Sequence, residues 1–195
     1  MLAMTLLMPL LNASSNNPRI VSILATGNES SSIDLDDLDL KKKEHYGLST
    51  LSKAAATYTT LSMSRLAQEN PRVAMFHHYP GGVNTGLFKK AFGDKWFWWI
   101  LAALLAVAGT SPEDAGEKVV YLLTSAKYGG RGVPLGTKEQ PGLTMAKTSQ
   151  AGSLFLINDK LKELHQDKIM EELDKRDARN VVWHRLLETI GPYSS

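Results

Sequence analysis

A chain of 195 residues with 43% hydrophobic content is long enough for one ordinary globular core, and one domain is expected rather than two. Its 22 basic and 20 acidic side chains leave a formal charge of +2 and are scattered, so no face is built to follow a phosphate backbone and nucleic acid is not an expected partner. The absence of cysteine removes disulfides, thiolate nucleophiles and cysteine-based zinc sites, and fits a reducing, cytoplasmic setting.

Residues 1 to 11, MLAMTLLMPLL, are apolar enough to imitate a signal peptide. They lack a positive leading region, and the Asn12-Ala-Ser-Ser sequence that follows is a poor cleavage context, so a core helix is the better reading. The sequons at Asn12 and Asn28 are read as chance matches. Pro18 to Ala25 (PRIVSILA), closed by Thr26-Gly27, is a β-branched run of the kind found in buried parallel strands. Residues 28 to 45 form a polar excursion in which Asp34, Asp36, Asp37 and Asp39 alternate with Ile33, Leu35, Leu38 and Leu40 before Lys41-Lys-Lys43. Blocks of opposite charge suggest a solvated segment. The glycine and terminal glutamate of a calcium loop are missing at the required spacing, so no metal is expected.

From Leu48 to Gln68, small and apolar residues recur at helical spacing until Asn70-Pro71, which predicts a long helix packed closely through Ala54, Ala55 and Ala56. Arg72 to Tyr79 reads as a strand ending at Pro80-Gly81-Gly82. The run Trp96 to Ala108, WFWWILAALLAVA, is too short for a bilayer, which needs about 20 residues. It is read either as a buried helix or flap over an apolar pocket, or as a membrane-surface or dimer contact. Ser111-Pro-Glu-Asp114 places an N-cap serine, a proline at the first helical position and acids in the first turn, so a helix starts there and runs to about Ser125. Residues 128 to 152 are rich in glycine and proline and read as a loop, 153 to 157 (SLFLI) as a strand, and 159 to 190 as one or two charged amphipathic helices. Helices alternate with strands, which is an α/β pattern with a parallel sheet.

At this point the chain resembles the C-terminal half of the short-chain dehydrogenase/reductase family, most closely its divergent fungal members. The resemblance covers nearly all of residues 1 to 160. It rests on the ordered set of Arg19 to Ala25, Ser52-Lys-Ala-Ala55, Tyr79-Pro-Gly-Gly-Val-Asn-Thr85 and the Ser111-Pro-Glu-Asp-Ala helix start. It implies an incomplete Rossmann-like, doubly wound parallel sheet flanked by helices. Residues 1–195 then form one truncated domain with the excursion at 28–45, an apolar flap or helix at 94–110 and charged helices at 159–195. The family's glycine-rich, nucleotide-binding N-terminal half has no counterpart here.

In that family a serine at the end of a strand holds the substrate carbonyl. A tyrosine is general acid or base, and a lysine four residues later lowers its pKa and grips the ribose of NAD or NADP. The resemblance puts Lys53 at the lysine position, Ser49 at the tyrosine position and Ala25, beside Thr26, at the serine position. Tyr46 and Thr26 are the available substitutes. Pro80, Gly81, Val83 and Thr85, with Lys53, are the expected cofactor contacts. The implied function is NAD(P)-dependent oxidoreduction of a carbonyl or hydroxyl on a small hydrophobic, specialised-metabolite-like substrate. The alternatives are an inactive relative that serves as a binding or scaffold protein, and a non-redox isomerase or dehydratase using His77, His78 or Tyr46 as proton carrier. A homo-oligomer, or a partner covering an open sheet edge, is a further expectation.

Overall fold

The computed structural model describes residues 1–43, 47–84, 109–129 and 153–193, together with 89, 90, 93, 95–97, 99, 100, 102, 103, 136, 137, 140 and 141. Helix α1 is Leu2–Ala13, and strand β1 is Arg19–Ile23. Helix α2 (Leu48–Glu69) leads to β2 (Ala74–His78), and α3 is Pro112–Thr124. The short antiparallel pair β3 (Gly136–Thr137) and β4 (Gln140–Pro141) follows, then β5 (Leu154–Ile157), α4 (Asp167–Lys175) and α5 (Ala178–Ile190).

The strands β1, β2 and β5 form a three-stranded parallel sheet in that order, flanked by the helices in a Rossmann-like α/β arrangement. Side chains alternate across β2 as the pleat requires. Met75 joins Met63, Leu66 and Val73 in the core under α1, α2 and α5, whereas Ala74 and Phe76 join Leu122 of α3, Tyr128 and Phe155 on the other face. There the Phe76, Tyr128 and Phe155 rings pack with centroids 5.1 to 5.4 Å apart. Successive helical connections thus cover opposite faces, and β2 is buried along its whole length.

Local signals set the ends of these elements. The Ser111 hydroxyl accepts the Asp114 amide at 3.0 Å, with Pro112 beginning α3, as an N-cap should. At the other end of α3 the Arg19 guanidinium donates to the carbonyls of Leu122 (2.7 Å), Ser125 (2.6 Å) and Tyr128 (2.9 Å). A cation there offsets the exposed negative end of the helix dipole. Helix α1 differs from a core helix: Met8 is buried and Met1, Met4 and Leu11 pack on the core, but Leu6, Leu7 and Leu10 are exposed.

The excursion after β1 is also less solvated than its charges suggest. Ile33 is buried against Leu61 of α2 and Leu173, Ala178 and Val182 of the C-terminal helices, with Leu35 and Leu38 alongside. Asp37 is buried with its carboxylate accepting the amides of Lys41 and Lys42. Arg176 donates to the carbonyls of Ser31 and Ile33, and Arg185 pairs with Asp39 at 2.7 Å. The apolar residues between the aspartates win because they face a helix surface that would otherwise be left open to water.

Candidate functional site

The C-terminal ends of β1 and β2 and the first half of α2 converge on a buried polar cluster. After Ile23 the Leu24 amide continues the ladder by donating to the His78 carbonyl at 2.9 Å. The chain then turns at Gly27, whose φ of +97° lies in the region that glycine adopts without steric cost. Glu29, just past the turn, is buried. Its Oε1 accepts the hydroxyls of Thr26 at 3.0 Å and Thr60 at 2.7 Å, and its Oε2 accepts the Gly27 amide at 2.7 Å. Three donors compensate a carboxylate that would otherwise be costly to remove from water.

The network also assigns a tautomer. The single proton of Thr60 goes to Glu29, so the Nδ1 of His77, 2.8 Å from the same hydroxyl oxygen, must be the donor in that contact. His77 is therefore the Nδ1–H form, with Nε2 a buried lone pair that has no partner. Although Nδ1 also lies 3.6 Å from Oε1 of Glu29, burial outweighs that attraction. Burial, with His78 next to it, pushes the His77 pKa down from 6.5 to about 4. His78 faces the opposite side of the sheet and donates Nδ1–H to the Ile157 carbonyl at 3.2 Å, and burial lowers its pKa as well. Both rings are wholly buried, so neither is presented to a ligand as a proton carrier.

Along α2, Ser49, Lys53, Thr57 and Thr60 follow one another at helical spacing. Thr57 and Thr60 are buried, while Ser49 and Lys53 are exposed. Thr57 receives the Ser30 amide at 3.0 Å and donates to the Lys53 carbonyl at 2.7 Å. Among the described residues no carboxylate pairs with the Lys53 ammonium. It lines a cavity of about 190 Å³ with Ser30, Ser32, Asp34, Thr50 and Tyr58. The Tyr58 hydroxyl there is buried without a hydrogen-bond partner, and burial, aided by Asp37, Asp34 and Asp39, pushes its pKa up to about 12. It is a neutral hydroxyl and not an acid that gives up its proton near neutrality.

The second wall is the segment after β2. The Tyr79 amide donates to the Ile157 carbonyl at 2.9 Å, Pro80 follows, and Gly81 turns with φ +97°. A Cβ on Gly81 would come within 2.6 Å of the Thr110 hydroxyl oxygen. Val83 and Thr110 form a bridge, with the Thr110 amide donating to the Gly82 carbonyl and the Asn84 amide to the Thr110 carbonyl, each at 3.0 Å. Two backbone bonds thus hold this turn against the start of α3.

Of the residues expected at the site, Thr26, Lys53, Ser49, Pro80, Gly81 and Val83 are placed at the strand ends or on the facing half of α2. Tyr46, His45 and Thr85 lie outside the described residues. Thr26 is placed differently from a substrate-holding hydroxyl, because its proton goes to Glu29. Glu29 and Thr60 are not singled out by sequence reasoning. The available signal was the polar line Thr57, Thr60 and Ser64 on the inward side of an alanine-rich helix, which demands buried partners.

No family model matches the chain, and no solved structure does. Among curated proteins, the chain is 33% identical over 196 residues to oxidoreductase andH of Emericella variicolor, covering 94% of this chain and 55% of that protein. It is 30% identical over 183 residues to the NmrA-like family domain-containing oxidoreductase notO of Aspergillus sp. (strain MF297-2), covering 91% of this chain and 50% of that protein. It is 26% identical over 196 residues to the short-chain dehydrogenase/reductase SAT2 of Stachybotrys chartarum, covering 94% and 53% respectively. The chain therefore spans about half the length of these relatives, which are fungal oxidoreductases by name.

Proposed function

We propose that this chain carries the substrate side of a nicotinamide-dependent oxidoreductase of the short-chain type. Its substrate is a carbonyl or alcohol on a small hydrophobic molecule. The observation that carries this reading is the β1–α2–β2 unit, in which an exposed Lys53, with no carboxylate partner among the described residues, stands on the same side of α2 as the cluster at the strand ends. The names of the relatives point the same way.

NAD or NADP, when bound, would supply or accept the hydride. Lys53 fits the ribose-holding role because no carboxylate among the described residues pairs with its ammonium and Ser30, Ser32 and Thr50 share its cavity, which Asp34 also lines. The segment from Pro80 to Val83 offers the backbone of a turn whose shape is fixed by Thr110, and Thr85 follows it in sequence. Among the described residues no glycine-rich strand-to-helix turn is present to hold a pyrophosphate, so the remaining nucleotide contacts are not assigned to this chain. Tyr46 is the phenol best suited to move the proton. Ser49, one turn before Lys53, is too weak an acid for that role, although its hydroxyl can orient a substrate oxygen. Thr26 acts through Glu29 to hold the loop in place.

A thermal-shift titration with NADPH and, separately, NADH tests the proposal. A ligand at a hundred times its Kd adds about 2.7 kcal/mol to the folded state, and Lys53→Ala should abolish that shift. A folded chain that melts at one temperature with or without either nucleotide would overturn it. The absence of a shift would favour the reading as a binding or scaffold protein.

A further inference from the structure

We infer that the segment around Trp96 is a peripheral attachment site for an anionic lipid surface. Trp96 and Trp99 are 81% and 69% exposed and Ile100 is 47% exposed, which leaves two indoles and a β-branched side chain in water within five residues. The Trp96 ring packs edge-on to Phe97 at 6.1 Å, so the aromatic side chains gather beside one another. Lys89, Lys90 and Lys95 are exposed on the N-terminal side of this patch. Asp94 is the one acidic residue in residues 89 to 100, which leaves a local charge of +2.

The pattern fits an interface between water and lipid better than the other surfaces open to it. Indoles settle at headgroup depth because one end of the ring is apolar and the other donates a hydrogen bond, and lysines beside them meet anionic headgroups. A second copy of the chain that covered Trp96 would also have to cover Lys95, its neighbour in sequence, whereas the centres of protein interfaces are depleted in lysine. The run Trp96 to Ala108 is shorter than the roughly 20 residues a bilayer demands, and no helix among the described residues is long and apolar enough to cross one. The contact is therefore superficial. It places the protein where a hydrophobic substrate would partition, but it stands on the exposed side chains alone and does not depend on the redox reading.

The test is co-sedimentation of the full chain with vesicles of phosphatidylcholine alone and of phosphatidylcholine with phosphatidylserine, at low and high salt. Binding should be several-fold stronger to the anionic vesicles and weaken in high salt. Trp96→Ser with Trp99→Ser should lower partitioning roughly tenfold, and Lys89→Ala, Lys90→Ala and Lys95→Ala together should remove the preference for phosphatidylserine. Quenching of tryptophan emission in the unaltered protein by brominated lipids gives a second readout that does not depend on how the variants fold. Failure to bind either vesicle, binding unchanged in the tryptophan variant, or a tryptophan-dependent dimer with no lipid binding would each overturn the inference.

Discussion

Glu29 is the residue on which the strand ends depend. Its carboxylate gathers the Thr26 and Thr60 hydroxyls and the Gly27 amide within 3.0 Å, joining the turn after β1 to the middle of α2. Thr60 in turn reaches His77 in β2, so three elements share one chain of hydrogen bonds. Glu29→Gln keeps the size but puts an amide donor among donors that need an acceptor. It should cost about 2–4 kcal/mol in urea unfolding at neutral pH, because the remaining groups stay buried and unpaired. Thr60→Val keeps the shape of the side chain and removes the link itself, leaving the His77 Nδ1–H without an acceptor. About 1–3 kcal/mol is expected, and the double variant should fall short of the sum because both changes break one network. Additive losses would mean that the two contacts are independent.

At the scale of elements, the glycine turns that end β1 and β2 are alike in backbone and unlike in surroundings. Gly27 and Gly81 both have φ +97°. A Cβ on Gly27 would meet Leu164 Cδ1, a movable side-chain tip, at 3.2 Å, whereas on Gly81 it would meet Thr110 Oγ1 at 2.6 Å in a segment pinned by backbone bonds. Gly27→Ala should therefore cost about 1 kcal/mol, the strain of the left-handed backbone, and Gly81→Ala about 2–3 kcal/mol or more. Adding Thr110→Ala to Gly81→Ala should recover the part due to the clash, as read from denaturant midpoints. Equal costs at the two glycines would show that backbone strain alone governs both. Such turns were legible in the sequence, as were β1, α2, β2 and the capped start of α3, because their signals are local: Thr26-Gly27, Asn70-Pro71, Pro80-Gly81 and Ser111-Pro112. The packing of 28–43 was not. Ile33 alternates with acids as a solvated segment would, and only the surface offered by Leu61, Leu173 and Val182, the last two more than 130 positions away, makes burial favourable. Glu29 escaped for a related reason, since no motif marks a carboxylate whose partners come from two separate helical and turn segments.

At the scale of the whole molecule, the neutral imidazole in the middle of the sheet ties stability to pH. In the unfolded chain His77 takes up a proton below about 6.5, while in the folded protein burial and His78 delay that until about 4. Between those values the unfolded state holds more protons, so stability rises with pH and is lost as pH falls from about 7 toward 4. His78, also lowered by burial, acts in the same direction. The groups facing these rings are Glu29 and Thr60 on one side, and Ile157, Lys118 and Asp159 on the other. The carboxylate of Asp39, lowered chiefly by its hydrogen bond to Arg185, also loses stabilising charge on acidification, but only below its unfolded pKa near 3.9. The interval from pH 7 to 5 thus belongs to the histidines. Stability from urea unfolding measured across it should fall by up to about 1.4 kcal/mol per pH unit on account of His77. His77→Gln should flatten that slope even though it lowers stability at pH 7, where the Thr60 contact is altered. A wild-type midpoint that stays level from pH 7 to 5 would mean that the His77 pKa is not lowered by folding, and one that rises as pH falls from 7 would mean that His77 is protonated in the fold and paired with Glu29. The 3.6 Å separation would then act as an ion pair across the end of the sheet, and the tautomer inferred from Thr60 would have to be abandoned.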